Sequence, residues 1–167
     1  MKTLTNYISE KLIINKNLKN TSDYFIYKLD DYCEIAIFDD GFPELNYYSK
    51  KVYVNGKNNK IDWEGYTKER YEPGEYKVEI KDIDDITDCC CMFFCSDIKI
   101  VPWFDTSKVV DMSSMFQGCE NLKEVPLFDT SKVTDMKNMF KGCYNLSDKT
   151  KELWSTIYDF EEDDKRK

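Results

Sequence analysis

The chain has 167 residues, 41% of them hydrophobic and 34% charged, and this balance excludes an intrinsically disordered chain. Its net charge of -8 opposes the attraction to phosphate on which nonspecific nucleic-acid binding depends, so we expect no direct nucleic-acid binding. It contains no run of about 20 apolar residues that could cross a membrane as a helix.

The first twenty residues, MKTLTNYISEKLIINKNLKN, do not have the pattern of a secretory signal peptide. They lack a continuous apolar stretch and a cleavage site of small residues. We therefore expect a cytoplasmic or virion-associated protein. In a reducing compartment the seven cysteines should be free thiols rather than disulfides.

Residues 1–20 are predicted to form a short amphipathic helix and a linker. Leu4, Ile8 and Leu12 fall on one helical stripe, and the polar segment NKNLKNTSD that follows is rich in turn formers.

Residues 21–82 are predicted to form a small β-sandwich. The runs YFIYKL, CEIAIF, KVYV and EYKVEI have the composition of strands. Segments typical of turns separate them, and Asn55-Gly56 is the strongest hairpin signal.

Residues 83–147 contain internal repeats. The segment FDTSKVVDMSSMFQGC at 104–119 returns as FDTSKVTDMKNMFKGC at 128–143, a spacing of 24 residues, and a shorter unit begins at Ile86. Such a period predicts a solenoid. Within each unit we expect an aspartate that caps a helical turn, a methionine and phenylalanine in the core, a glycine that ends the turn, one short strand and a DTSK corner.

The cysteines of the repeats allow two interpretations. Cys95, Cys119 and Cys143 align at one position of successive units, where they could bind a soft metal as a thiol ladder or fill the core as small hydrophobes. We favour the core, because structural zinc takes four tetrahedral ligands. The cysteine run at 89–91 also lacks the spacing of a metal pair, and Cys89 aligns with core methionines.

The aspartates at the start of each unit, Asp88, Asp111 and Asp135, also allow two interpretations. They could form an acidic column that binds calcium, or each could cap its own turn, which we favour. The sequence therefore predicts no metal and no cofactor.

Residues 148–167 are predicted to form a capping helix followed by a charged tail. Leu153, Trp154 and Ile157 are spaced to lie on one helical face. That face can cover the open end of the repeats, as a stack of repeats requires.

Residues 86–147 resemble the BspA-like leucine-rich repeats that occur in bacterial surface proteins and in proteins of AT-rich bacteria and their phages. Residues 52–80 are similar to the small β-sandwich of polycystic-kidney-disease type that often precedes them, except that Trp63 is followed by Glu64-Gly65 instead of an Asp-Gly turn. The start, LTNYISEKLIINKN, looks like the N-terminal segment of proteins from gut Bacteroidales phages.

The residue patterns and the resemblance together predict a mainly β protein with short helices, in which a small β-sandwich is followed by a short leucine-rich-repeat solenoid and a C-terminal capping helix. The resemblance implies an interaction scaffold rather than an enzyme, and the absence of histidine agrees because the commonest general base is missing. We expect a non-enzymatic protein-protein interaction module, phage- or surface-associated. The alternative is a small acidic phage-encoded inhibitor that occupies the nucleic-acid-binding site of a host protein by charge mimicry.

Two surfaces are candidates for contact with another protein. The first is the regular exterior of the repeats, and the second is an aromatic patch in the β-domain, because tyrosine and tryptophan are enriched at interfaces. The candidate residues are Lys99, Asp105, Lys108, Lys123, Asp129 and Lys132 on the repeats, and Trp63 and Tyr66 in the patch.

Overall fold

The computed structural model describes residues 24–38, 51–62, 64–81, 83 and 86–160. The predicted N-terminal helix and the tail at 161–167 lie outside the described residues. Within the described part the fold is mainly β, as predicted, with seven strands and one α-helix. They are β1 (Phe25–Leu29), β2 (Cys33–Ala36), β3 (Val52–Val54), β4 (Lys57–Asn59), β5 (Tyr66–Tyr71), β6 (Gly74–Ile80), β7 (Ile98–Ile100) and α1 (Asp148–Trp154). No helix of this described part is long and apolar enough to cross a bilayer.

The strands form two antiparallel sheets, one of five strands in the order β4-β3-β6-β1-β7 and one that pairs β2 with β5. The four predicted strand segments correspond to β1, β2, β3 and β6, which confirms them. Successive side chains of a strand point to opposite faces of the sheet, and in β1 the side chains of Phe25, Tyr27 and Leu29 point into the core.

Two strands were missed, because their sequences are polar. β4 reads KNN and β5 reads YTKERY, and both are largely exposed. The hairpin at Asn55-Gly56 sets the position of β4: both residues have positive φ, 48° and 80°, as a type I′ turn requires. Val54 then pairs with Lys57, so the predicted turn is confirmed.

The sheet and the repeats share an edge. β7 belongs to the first repeat and pairs with β1 in antiparallel register, with Tyr27 opposite Ile98. The rings of Phe25 in β1 and Phe93 in the first repeat are 5.5 Å apart. One cluster of buried side chains therefore runs from the sheet into the repeats.

Successive repeats stack in register through backbone hydrogen bonds. The N–H of Cys89 donates to the carbonyl of Asp111 at 2.8 Å, and the N–H of Met112 donates to that of Asp135 at 2.9 Å. The bridges from Asp88 to Asp111 and from Asp111 to Asp135 are parallel.

The predicted apolar ladders fill the interior of this stack. The rings of Phe93 and Phe116 are 5.6 Å apart and those of Phe116 and Phe140 are 5.7 Å apart, both nearly parallel. The methionines that precede these rings, Met92, Met115 and Met139, are fully buried. The core prediction for both ladders is confirmed.

Two local predictions within the repeats were wrong. The segment after Asp111 is a series of turns and not a helical turn, because Ser114 has φ 54° and so leaves the right-handed helical region. Nor does each described repeat contribute a strand: in the segment where we predicted one, the second repeat has only a single bridge residue, Glu124, opposite Ile100. In this segment the third repeat adds one backbone bond, from the N–H of Ser147 to the carbonyl of Lys123, and the chain then enters α1.

The predicted alignment of Cys95 with Cys119 and Cys143 was also wrong. The N–H of Cys95 donates to the carbonyl of Gln117, and the N–H of Gly118 donates to that of Lys141, so Cys95 occupies the glycine position of its repeat. Its φ of 52° agrees with the 77° of Gly118. Ser96, which is buried, takes the place of the later core cysteines, and the missing residue of the first repeat falls just after it.

The predicted C-terminal helix is present, with Ser147 as N-cap. Trp154 is fully buried, and its ring lies 5.2 Å from that of Phe140. Ile157 does not share the helical face, because α1 ends at Trp154 and Ser155 is its C-cap. Phe160 contributes instead, with its ring 5.5 Å from that of Phe140.

Candidate functional site

The two DTSK corners stack directly, and their backbones are held by their own side chains. A carboxylate oxygen of Asp105 accepts a hydrogen bond from the N–H of Ser107 at 2.9 Å, and Asp129 accepts from Ser131 at 3.0 Å. The hydroxyl of Thr106 donates to the carbonyl of Asp129 at 3.0 Å and joins one corner to the next. Asp105 and Asp129 are half-buried by this arrangement, and they shape the corners.

The lysines that end these corners face the solvent. Lys108 and Lys132 are both exposed, and they occupy the same position of successive repeats. Because the corners are fixed, both lysines extend from a firm backbone. The structure therefore brings together four of the predicted residues, two carboxylates that hold the turns and two exposed lysines.

The strand lysines form a second pair. The N–H of Lys123 donates to the carbonyl of Lys99 at 2.8 Å, which sets the two residues side by side. The ammonium of Lys99 bonds to the carboxylate of Glu75 in β6, and the side chain of Lys99 is only 20% exposed. That hydrogen bond lowers the pKa of Glu75, and the charges of Lys99 and Lys123 act in the same direction. Lys123 is the exposed member of the pair.

The aromatic patch is only partly within the described residues. Tyr66 begins β5 and is 41% exposed, whereas Trp63 lies outside the described residues. Tyr66 lines a cavity of about 270 Å³, and none of the predicted lysines lines it. The other residues that line this cavity are Ala36, Phe38, Glu64, Phe94, Cys95 and Ser96. The sequence alignment missed Cys95 here because it assigned this thiol to the core.

The buried cysteines behave as core residues with a hydrogen-bond donor. The thiol of Cys119 donates to the carbonyl of Phe93 at 2.8 Å, and that of Cys143 donates to the carbonyl of Phe116 at 2.9 Å. Burial raises the pKa of Cys119, and the nearby Cys143 adds to the effect, so the thiol stays protonated. The prediction of a core role is confirmed for these two residues.

The aspartates that begin each repeat hold the turns that follow them. Asp88, Asp111 and Asp135 each accept a hydrogen bond from the backbone N–H two residues later, at 2.7 to 2.8 Å. This confirms their capping role, with a turn in place of the predicted helical turn. Across the described ranges no three cysteine, aspartate or glutamate residues are placed to hold a metal ion together.

Removal of divalent metal should leave the protein unchanged. The thiols of Cys119 and Cys143 and the carboxylates of the aspartates that begin each repeat bond to backbone groups, so we expect no structural metal; such a metal would contribute to folding. We predict the same melting temperature, followed by circular dichroism, before and after dialysis against EDTA. A melting temperature several degrees lower after dialysis would contradict this prediction and would indicate that the repeats bind a metal.

Comparison with known proteins identifies one family. The family model described as "Mycoplasma protein of unknown function, DUF285" matches residues 75–161, just over half of the chain. The matched range begins in β6 and continues through the repeats and α1. No curated protein and no solved structure matches.

Proposed function

The chain belongs to the DUF285 family, which is of unknown function, and we propose that it is a non-enzymatic protein-protein interaction module. In this proposal residues 86–147 form a short solenoid of BspA-like leucine-rich repeats. The small sandwich of polycystic-kidney-disease type precedes it, and α1 closes its far end. A partner binds along the exterior of the repeats, as partners of solenoids commonly do.

The stacking of the repeats supports the solenoid. Neighbouring units are joined by backbone hydrogen bonds that recur along the repeat, such as those from the N–H of Cys91 to the carbonyl of Ser113, from Ser114 to Lys137 and from Gly118 to Lys141. The interior of the stack is apolar, and nearly parallel phenylalanine rings run through it. The repetition therefore serves shape, since what it preserves is turn formers and core residues.

The observation that carries the binding proposal is the alignment of exposed lysines on fixed corners. Lys108 and Lys132 sit at the same position of successive repeats, above turns held by the aspartate carboxylates. A preorganised surface loses little conformational entropy on binding. Exposed lysines at a regular spacing favour a partner surface that carries carboxylates, because charge complementarity increases the association rate and the specificity.

The test compares two pairs of charge reversals of equal size. The first variant carries Lys108→Glu and Lys132→Glu, and the control carries Lys60→Glu and Lys68→Glu, which are exposed residues beside β4 and in β5. Proteins captured from the native host cell would be identified, and the affinity of each for the three forms would be measured by calorimetry. We expect the corner variant to bind at least about tenfold more weakly, or about 1.4 kcal/mol, and the control to bind as the wild type does.

Equal affinities for all three forms would contradict the corner surface. The same measurement distinguishes the interaction module from an inhibitor that acts by charge mimicry. The inhibitor would have a basic, nucleic-acid-binding partner. Its binding would weaken steeply with added salt, and both charge-reversal variants would bind it at least as well as the wild type.

A further inference from the structure

Two adjacent thiols lie in contact in the first turn of the first repeat. The sulfur atoms of Cys90 and Cys91 are 3.5 Å apart, and both residues are half-buried. Their backbones are fixed, because the N–H of Cys90 donates to the carboxylate of Asp88 at 2.8 Å and the N–H of Cys91 donates to the carbonyl of Ser113 at 3.1 Å. The pair is therefore held in place and remains within reach of solvent.

The fold does not require sulfur at these positions. The stacked positions in the second repeat carry Ser113 and Ser114, and those in the third carry Lys137 and Asn138. The three residues at the second position, Cys91, Ser114 and Asn138, all have positive φ, 57°, 54° and 59°. This region of φ favours asparagine and glycine over cysteine. Cys119 and Cys143 differ, because their thiols fill the core and bond to carbonyls.

The separation of the two sulfurs decides which partner they fit. With sulfur–metal bonds of about 2.3 Å, two sulfurs 3.5 Å apart subtend about 100° at a shared ion. A linear ion would need the sulfurs roughly 4.6 Å apart on the same bond length. A disulfide is also disfavoured, because adjacent Cα atoms are about 3.8 Å apart and disulfides usually span about 4.4 to 6.8 Å. Zinc takes four ligands, and within the described ranges no third metal ligand joins this pair.

We propose that Cys90 and Cys91 form a two-thiol binding site for a soft ion of pyramidal geometry, of the class of trivalent arsenicals and antimonials. Soft thiolate ligands select soft ions, and a bent angle near 100° suits an atom with three bonds and one lone pair. In the reaction two S–H bonds and the arsenic–oxygen bonds of the arsenical break, and two sulfur–arsenic bonds form. The thiol protons leave with the oxygen as water, and no oxidant or reductant takes part.

Phenylarsine oxide is the probe for this site. One phenylarsenic group should add to each native chain, with loss of one water. Mass spectrometry of the intact protein would detect this adduct. Peptide mapping after alkylation should find Cys90 and Cys91 both protected from iodoacetamide. Cys90→Ser and Cys91→Ser should each weaken binding on the order of 100-fold, because the second thiol no longer acts at high effective concentration.

The control is Cys95→Ser, which removes an exposed thiol of the same turn region and should leave the affinity unchanged. The serine variants should fold, since the second repeat carries Ser113 and Ser114 at the stacked positions, and thermal melting would verify this. An adduct that maps to Cys33 or Cys95 would overturn the proposal. So would undiminished affinity in the folded Cys90→Ser variant, or a Cys90–Cys91 disulfide in place of the adduct.

Discussion

Truncation after Ser147 should yield aggregated or dimeric protein of much lower stability. The deleted segment contains Trp154, which is fully buried with its ring 6.0 Å from that of Phe128 and 5.2 Å from that of Phe140. The rings of Tyr158 and Phe160 also pack on Phe140, at 5.1 and 5.5 Å. Without them the last repeat presents an apolar end to water, which favours association.

The expected loss is large compared with the stability of a small protein. Full burial of one large apolar side chain is worth about 1.5 to 3 kcal/mol, and a typical domain has a total stability of about 5 to 15 kcal/mol. The deletion also removes two backbone partners: the hydroxyl of Thr150 donates to the carbonyl of Lys123 at 3.1 Å, and that of Tyr158 accepts from the N–H of Phe140 at 3.2 Å.

The measurements are size-exclusion chromatography with light scattering and thermal unfolding. The matched control is truncation after Phe160, which keeps every aromatic contact named above and should leave both the oligomeric state and the melting temperature unchanged. A monomer cut at Ser147 with the melting temperature of the full chain would show that residues 148–160 do not cap the repeats. Their apolar side chains would then be available for a partner.

The core of the repeats could be predicted because it depends on periodicity. Met92, Met115 and Met139 recur in phase with phenylalanines, and a residue that recurs at the same place in stacked units meets its own equivalents. The Asn55-Gly56 hairpin was equally accessible, because only a few residues tolerate positive φ at both central positions of the turn.

The position of Cys95 could not be predicted from residue identity. The sequence alignment paired Cys95 with the later cysteines because the residue type is the same. In the structure, residues stack on others of the same backbone conformation, and Cys95 has the positive φ of the later glycines. A cysteine at such a position is uncommon, so composition gives no sign of it. The one-residue deletion consequently falls after Ser96 instead of before Cys95.

The spacing of the lysines on the candidate surface could be predicted from the sequence, but their ion pairs could not. Lys108 and Lys132 are exposed because they follow polar corners, as their sequence indicated. The ion pair between Lys99 and Glu75 depends on β7 joining the sheet beside β1, a contact between segments far apart in sequence. Neither hydrophobic pattern nor turn chemistry fixes such a contact, so the reduced exposure of Lys99 could not be foreseen.

Gly118→Ala should destabilise the protein for two separable reasons. Gly118 has φ 77°, and a side chain held in this region costs about 1 to 3 kcal/mol. A Cβ at this position would also lie 2.6 Å from the sulfur of Cys95, so that side chain would have to move.

Gly142 has a similar φ of 80°, but an added Cβ would approach nothing closer than 3.4 Å. Gly142→Val should therefore cost about 1 kcal/mol or more, mainly through the backbone.

The two causes can be separated by urea unfolding of a double-mutant cycle. Cys95→Gly removes the sulfur that the added Cβ at position 118 would meet, but it leaves the backbone of the second repeat as it is. We expect the loss caused by Gly118→Ala to be smaller in the Cys95→Gly background, because residues in contact are energetically coupled. The control cycle pairs Cys95→Gly with Gly142→Val and should be additive. Equal losses for Gly118→Ala with and without the Cys95 thiol would show that the positive φ alone selects glycine at this point of the repeat.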